Sequence, residues 1–233
     1  MHGQICISLK RNIRGTDLIT NRPQTILAVE AAIAGGSLSI IRGGESVSRR
    51  CGTGVLTRAE ELLPNIDLLL RNCDVDPDQL DAIAVSIGPG SFTGLRVGIS
   101  TVLGLSLALA KPHIGVPLLD AIAASLDYLD GFAITVPIGR TDICFQGFTG
   151  PNVLSLPTVG SDFDLLEFVK VNKLERVACH PDLLNRLRID ADLSEIQLHP
   201  FDPCLADYIG QYAANHPTEG VLEPIYVQNP RFA

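Results

Sequence analysis

The chain has 233 residues, 46% of them apolar and 19% charged, with a formal net charge of −8. That length can bury the core of one larger domain or two small ones, and that balance excludes a disordered chain. The acidity, the absence of Trp and an aromatic share of 5% argue against a protein that holds nucleic acid by itself, because such surfaces are basic and stack bases on aromatic rings.

Residues 1–24 carry Lys10, Arg11, Arg14 and Arg22 but no apolar run of the kind a secretory signal needs. They are expected to form a disordered N-terminal extension. Thr25–Glu30 reads as a buried strand. Ser37–Arg42 and Glu45–Arg49 read as a hairpin around Gly43-Gly44, a pair that tolerates the positive φ of a two-residue turn. Residues 57–72 read as a helix. Leu62, Leu63, Ile66, Leu69 and Leu70 share one apolar face, and Thr57 with Glu60 makes a capping box.

Ala82–Ile87 is an apolar run with the length of a buried strand. It leads into Gly88-Pro89-Gly90-Ser91-Phe92-Thr93-Gly94-Leu95-Arg96-Val97-Gly98 and then into a helix over Gly94–Ala110. A glycine-rich turn from strand to helix exposes the first amides of the helix, which have no partner within it. They can hold an anion or another protein's carbonyl oxygens. Positive φ is expected at Gly88, Gly90 and Gly94. Arg96 sits in the first turn, where a cation opposes the helix dipole, so an ion pair with a carboxylate of this chain or of a partner is expected. Ser100, Gly104 and Ala108 recur every four residues as a ridge of small side chains that another helix could approach closely. This stretch falls short of the roughly 20 apolar residues of a membrane span.

His113–Val116 reads as a short strand and Pro117–Leu129 as a helix. A second half follows in similar order: strands at Phe132–Ile138 and Asp142–Phe148, a helix at Ser161–Val171, a strand at Arg176–Cys179, a helix from Pro181, a strand at Ile196–Leu198, a helix at Pro203–Asn215 and an extended segment to Val227. Strand and helix alternate, so the expected class is α/β. The expected division is an N-terminal subdomain over 25–130 and a C-terminal one over 131–233, whose last segment could return to the first. Cys6, Cys51, Cys73, Cys144, Cys179 and Cys204 are scattered with no CxxC pair, so they read as the reduced thiols of a cytoplasmic protein.

Five stretches, namely 26–30, 61–66, 81–85, the run from Gly88 to Gly98, and Glu223-Pro224-Ile225-Tyr226-Val227, occur in an order and spacing that resembles the TsaB family, also called YeaZ. The resemblance spans about residues 25–229. It implies an actin-like, sugar-kinase-like (ASKHA) fold of two related subdomains. It further implies a non-catalytic subunit that pairs with TsaD, a catalytic paralogue, and works with TsaE, an ATPase. Together these install N6-threonylcarbamoyladenosine beside the anticodon of tRNAs reading ANN codons. On this reading the chain has no cofactor of its own, ATP enters only at the level of the complex, tRNA is met through the complex, and no membrane is involved. The expected partner surface is Leu62, Leu63, Ile66, Leu69, Ser100, Gly104 and Ala108, facing TsaD or a second copy of the chain.

The paralogue's HxxxH metal pair falls on Leu118 and Ile122, which offer a metal no lone pair. The acidic residue and following Gly and Thr of kinases of this fold fall on Glu30-Ala31-Ala32, and the family's Asp-Ala-Arg falls on Ile138-Gly139-Arg140. Three catalytic readings stand against the accessory one. A phosphotransferase or ATPase of the same fold lacks the phosphate-handling residues. A metallopeptidase lacks any HExxH or HxxxH. A serine hydrolase built on Ser91 lacks the GxSxG elbow.

Overall fold

The computed structural model of the protein describes residues 24–52, 59–139, 141–190, 196–217 and 222–227. The expected extension apart from Gln24, the expected cap at Thr57, and Arg140 lie outside the described residues.

The first sheet runs in the order β3-β2-β1-β4-β5, from β1 (Thr25–Glu30), β2 (Ser37–Arg42), β3 (Glu45–Cys51), β4 (Ala82–Gly88) and β5 (His113–Pro117). The hairpin strands are antiparallel, while β1, β4 and β5 are parallel. Side chains alternate across a strand, so the sheet has two buried faces. Leu27, Val29, Leu38, Ile40, Ile83 and Val85 meet Leu62, Ile66, Leu69 and Leu70 of α1 (Ala59–Asn72) and Ile99 and Val102 of α2 (Phe92–Leu109). Ile26, Ala28, Ile41, Ala82 and Ala84 face the other way, into a core shared with the second half. That is why β1 and β4 read as continuous apolar runs rather than alternating ones.

The second sheet runs β11-β10-β6-β7-β8 with β9 on β7, from β6 (Gly131–Ile138), β7 (Asp142–Thr149), β8 (Asn152–Val153), β9 (Thr158–Gly160), β10 (Arg176–Cys179) and β11 (Gln197–Pro200). α4 (Asp162–Val171) and α5 (Pro181–Asp190) cover one side, placing Leu165, Leu166, Val169, Leu183 and Leu187 on Ala133, Ile143 and Phe145. Phe132, Ile134 and Phe148 enter the shared core, where α3 (Leu118–Ser125) contributes Leu118, Leu119 and Ile122. Leu118 and Ile122, at the positions of the paralogue's metal pair, are fully buried core side chains.

One expectation needs correction. The helix expected to reach Leu129 ends at Ser125, because the Ser125 hydroxyl donates to the Ile122 carbonyl at 2.7 Å and Leu126 is already extended. A serine in this position competes for a carbonyl that would otherwise continue the helix. α6 (Leu205–Asn215), from the C-terminal part of the chain, packs on β1, β2 and β4 of the first sheet. Gly210 makes this possible, since a Cβ there would run into the side chain of Ile41.

Candidate functional site

The glycine turn lies where β4 hands over to α2, and three neighbours dictate its composition. Only Gly88 has a positive φ, at +114°, and a Cβ there would stand 2.7 Å from the carbonyl oxygen of Ile225. Gly90 and Gly94 do not share that conformation, which corrects the expectation of positive φ at all three. They are glycines because the segment after β1 presses on them: a Cβ at Gly90 would overlap that of Ala32, and one at Gly94 would meet the carbonyl oxygen of Ala31. Gly98, one turn on, is buried 3.0 Å from the Ala31 methyl by the same measure.

The N-terminus of α2 is therefore engaged from within this chain. Ser91 caps the helix, its Oγ accepting from the Gly94 amide at 3.1 Å, and its own amide donates to the Ala32 carbonyl at 3.0 Å. The start of α2 is thus tied to the segment after β1 through the Ala32 carbonyl, and the Ser91 hydroxyl takes one of the helix's first amides, which have no partner within it. Glu30 shapes that segment. It is wholly buried, and its Oε1 accepts from the amides of Ala32 at 2.7 Å and Ile33 at 3.0 Å. Among the described residues its buried Oε2 has no hydrogen-bond partner. Burial pushes the Glu30 carboxyl up to about 7, against the smaller opposing effect of the two amides. The sequence placed Glu30 where kinases hold magnesium and phosphate; in the fold it organises its own loop.

Residues 222–227 come back to the turn from the far end of the chain. The Ile225 amide donates to the Ile87 carbonyl at 2.7 Å, and Leu222 joins the core beneath α1 and α2. Tyr226 packs on Phe92 with ring centroids 5.1 Å apart. Arg96 completes this group: its guanidinium lies 3.7 Å from the Phe92 ring centroid, and its Nε donates to the Tyr226 hydroxyl at 3.4 Å. Among the described residues no carboxylate pairs with Arg96, so the expected intramolecular ion pair is replaced by a cation–π contact. Such a contact offsets the unfavourable placement of a cation at a helix N-terminus.

The expected partner surface divides in two. Leu62, Ile66 and Leu69 are at most 3% exposed and belong to this chain's own core. This corrects their assignment to an interface: the periodicity that marked them as an apolar face equally marks the face that a sheet covers. Leu63 stays half exposed. On α2, Ser100, Gly104 and Ala108 are all exposed, and a Cβ at Gly104 would touch nothing within 4 Å. The ridge is flanked by Phe92 of the glycine-rich run, at 53% exposure, and by two residues that the sequence reading does not single out, Leu103 at 42% and Leu107 at 86%. Thr93 and Arg96 are exposed at its start. α2, with 18 residues, is long and apolar enough to cross a membrane by length and composition only. Here one side of it, with Leu95, Ile99 and Val102, is packed on the sheet. The signal that could have found the outer face was present in the sequence: α2 has leucines all round and only Arg96 as a charge, whereas a surface helix ordinarily carries charge outside.

Among the described residues, no three His, Cys, Asp or Glu side chains gather where they could hold a metal ion.

Comparisons with known proteins follow the same lines. The family model described as TsaD, tRNA N6-adenosine threonylcarbamoyltransferase, matches residues 57–143. The tRNA threonylcarbamoyladenosine biosynthesis protein TsaB of Haemophilus influenzae is 34% identical over 169 residues, covering 71% of this chain and 69% of that one. An uncharacterised protein of Mycobacterium tuberculosis is 36% identical over 100 residues, or 42% of this chain and 47% of its own length. The chain thus spans about half the length of the mycobacterial relatives it matches. Among solved structures, YeaZ from Pseudomonas aeruginosa superposes with a TM-score of 0.62 at 19% identity, over 88% of this chain and all of that one. The fold is that of the actin-like and sugar-kinase-like proteins, built of two α/β halves with mixed sheets.

Proposed function

This chain belongs to the TsaB family, and on that premise we propose that it binds and supports TsaD during N6-threonylcarbamoyl transfer to the adenosine next to the anticodon of tRNAs reading ANN codons. In this reading the chain performs no chemistry itself. TsaD supplies the catalytic site, TsaE joins the assembly, ATP enters at the level of the complex, and tRNA is met only through it. The setting is the cytoplasm. Two features support a non-catalytic role. Core side chains Leu118 and Ile122 stand at the paralogue's metal-ligand positions, and the start of α2 is engaged from within the chain by the Ser91 cap and the Ala32 carbonyl.

The observation that carries the partner role is the outer face of α2. Leu103, Leu107 and the small-residue ridge leave apolar surface in water on a helix that is already packed on its other side. Burying such surface is favourable by roughly 25 cal/mol per Å², and small residues let a second helix come close. TsaD is the proposed occupant, and a second copy of the chain would use the same face when TsaD is absent. Gly104→Leu tests this. Because Gly104 faces open space, the variant is expected to fold with unchanged Tm, yet to lose at least tenfold in recovery with co-expressed TsaD. Undiminished recovery would remove the face from the interface. Depletion of the protein in its host, followed by mass spectrometry of tRNA nucleosides, is expected to lower threonylcarbamoyladenosine; an unchanged level would overturn the proposed role.

A further inference from the structure

Cysteine spacing along the chain offers no pair, but the fold makes one. Cys51 ends the edge strand β3 and is exposed, while Cys204 is the N-cap residue of α6 and is fully buried. Two ties bring these segments together. Arg49 and Cys51 are two apart on β3 and so share a face. Arg49 reaches Asp202 at 2.7 Å and Asp207 at 3.0 Å, the residues that bracket Cys204. Cys51 is also the register partner of Ser37, whose hydroxyl accepts from the Ala206 amide at 2.8 Å. Between these ties the Cys51 thiol lies close to that of Cys204. The other described cysteines lie elsewhere: Cys144 and Cys179 are buried in the second half, and Cys73 donates to the carbonyls of its own helix.

We propose that Cys51 and Cys204 form a reversible dithiol–disulfide site, oxidised by a low-molecular-weight disulfide of the glutathione class. The exposed Cys51, as its thiolate, attacks one sulfur of the small disulfide. The S–S bond breaks, a mixed disulfide forms on Cys51, and the first small thiolate leaves and takes up a proton. Cys204 then loses its proton to solvent and attacks Sγ of Cys51, and the second small thiolate departs. Two cysteines have given up two electrons, and one small disulfide has become two thiols. The order of attack follows from the surroundings. Burial, the contact with Cys51 and the nearby Asp207 hold the Cys204 thiol well above its usual range, so it is the resolving partner and Cys51 the entry point. The product bond would fasten the edge of the first sheet to a helix supplied by the last quarter of the chain. A cross-link closing so long a loop is expected to stabilise the fold.

The test uses the full chain, first reduced, then incubated with excess oxidised glutathione, quenched by alkylation and mapped by peptide mass spectrometry. The expected product is a Cys51–Cys204 linked peptide two hydrogens lighter than the sum of its reduced halves. It should be reversed by dithiothreitol and accompanied by an upward shift in Tm. Cys51→Ser, at an exposed position, should match reduced wild type in Tm, give no linked peptide and show no shift with the oxidant. Glutathione retained on Cys51 beside a free Cys204, a bond from Cys51 to a second copy of the chain, or two unmodified thiols would each overturn the proposal.

Discussion

α1 and α2 lie against the same face of the first sheet, yet they dispose of their leucines differently. α1 turns Leu62, Ile66, Leu69 and Leu70 inward, and its outer side mixes the partly exposed Leu63 and Leu68 with charge, Asp67 and Arg71 being paired at 3.0 Å four residues apart. α2 buries Leu95, Ile99 and Val102 and still carries Phe92, Leu103 and Leu107 outside. α1 leaves Leu63 and Leu68 partly exposed among charged neighbours, whereas α2 is left with a larger uncharged apolar surface, with Leu107 at 86% exposure, that only a further contact can remove from water. An apolar face read from periodicity is therefore not yet an interface. The informative helix is the one with more apolar residues than its own sheet can cover.

Truncating the inner helix face should have the largest effect on stability. Leu69→Ala removes a fully packed side chain and is expected to cost about 2–5 kcal/mol, measured by denaturant unfolding, with TsaD recovery per folded molecule unchanged. A stability change below 1 kcal/mol would contradict the assignment of Leu69 to the core.

Next comes Glu30, whose loop separates the sheet from the start of α2. Its carboxyl is raised from 4.5 to about 7 in the fold, so between those values the native state binds more protons than the unfolded state. Stability from this group is present at low pH and is lost as pH rises to about 7. At about 1.4 kcal/mol per unit, the loss is of order 3 kcal/mol. Glu30→Gln keeps an oxygen for the Ala32 and Ile33 amides and is expected to flatten the profile between pH 5 and 8. The same slope in both proteins would show that another group titrates.

Gly94→Ala sets a methyl against the Ala31 carbonyl, and is expected to cost about 1–3 kcal/mol through overpacking. A gain in stability would mean that the segment after β1 yields more easily than its contacts suggest. The smallest stability effect, within about 0.5 kcal/mol, is expected for Leu107→Lys on the outer face of α2. That variant should nonetheless lose TsaD recovery at least tenfold, in contrast to Leu69→Ala. Equal recovery for the two would dissolve the distinction between the helices.

Much of the architecture was legible because its causes are local. The sequence places β1 to the residue, and it places α2 within two residues at its start from the glycine turn and the apolar run behind it; the cap at Ser91 emerges only in the fold. The end of α3 was misplaced because periodicity continues through Leu126 while the Ser125 hydroxyl has already taken a carbonyl of the last turn. The glycines were recognised as a turn, but their reasons were not visible. Gly90 and Gly94 answer to Ala31 and Ala32, and Gly88 answers in addition to Ile225, all residues far away along the chain.

The sequence by itself determined most of the strands and helices, though not the short β8 and β9 or the end of α3, together with the strand-to-helix turn and the family, because propensity, period and motif are properties of neighbouring residues. Tertiary structure alone decided which apolar face is core and which meets water, that Glu30 serves its own loop, that α6 crosses to the first sheet, and that Cys51 meets Cys204. The physical reason is common to all four: burial, close approach and thiol contact depend on residues that only the folded chain brings together.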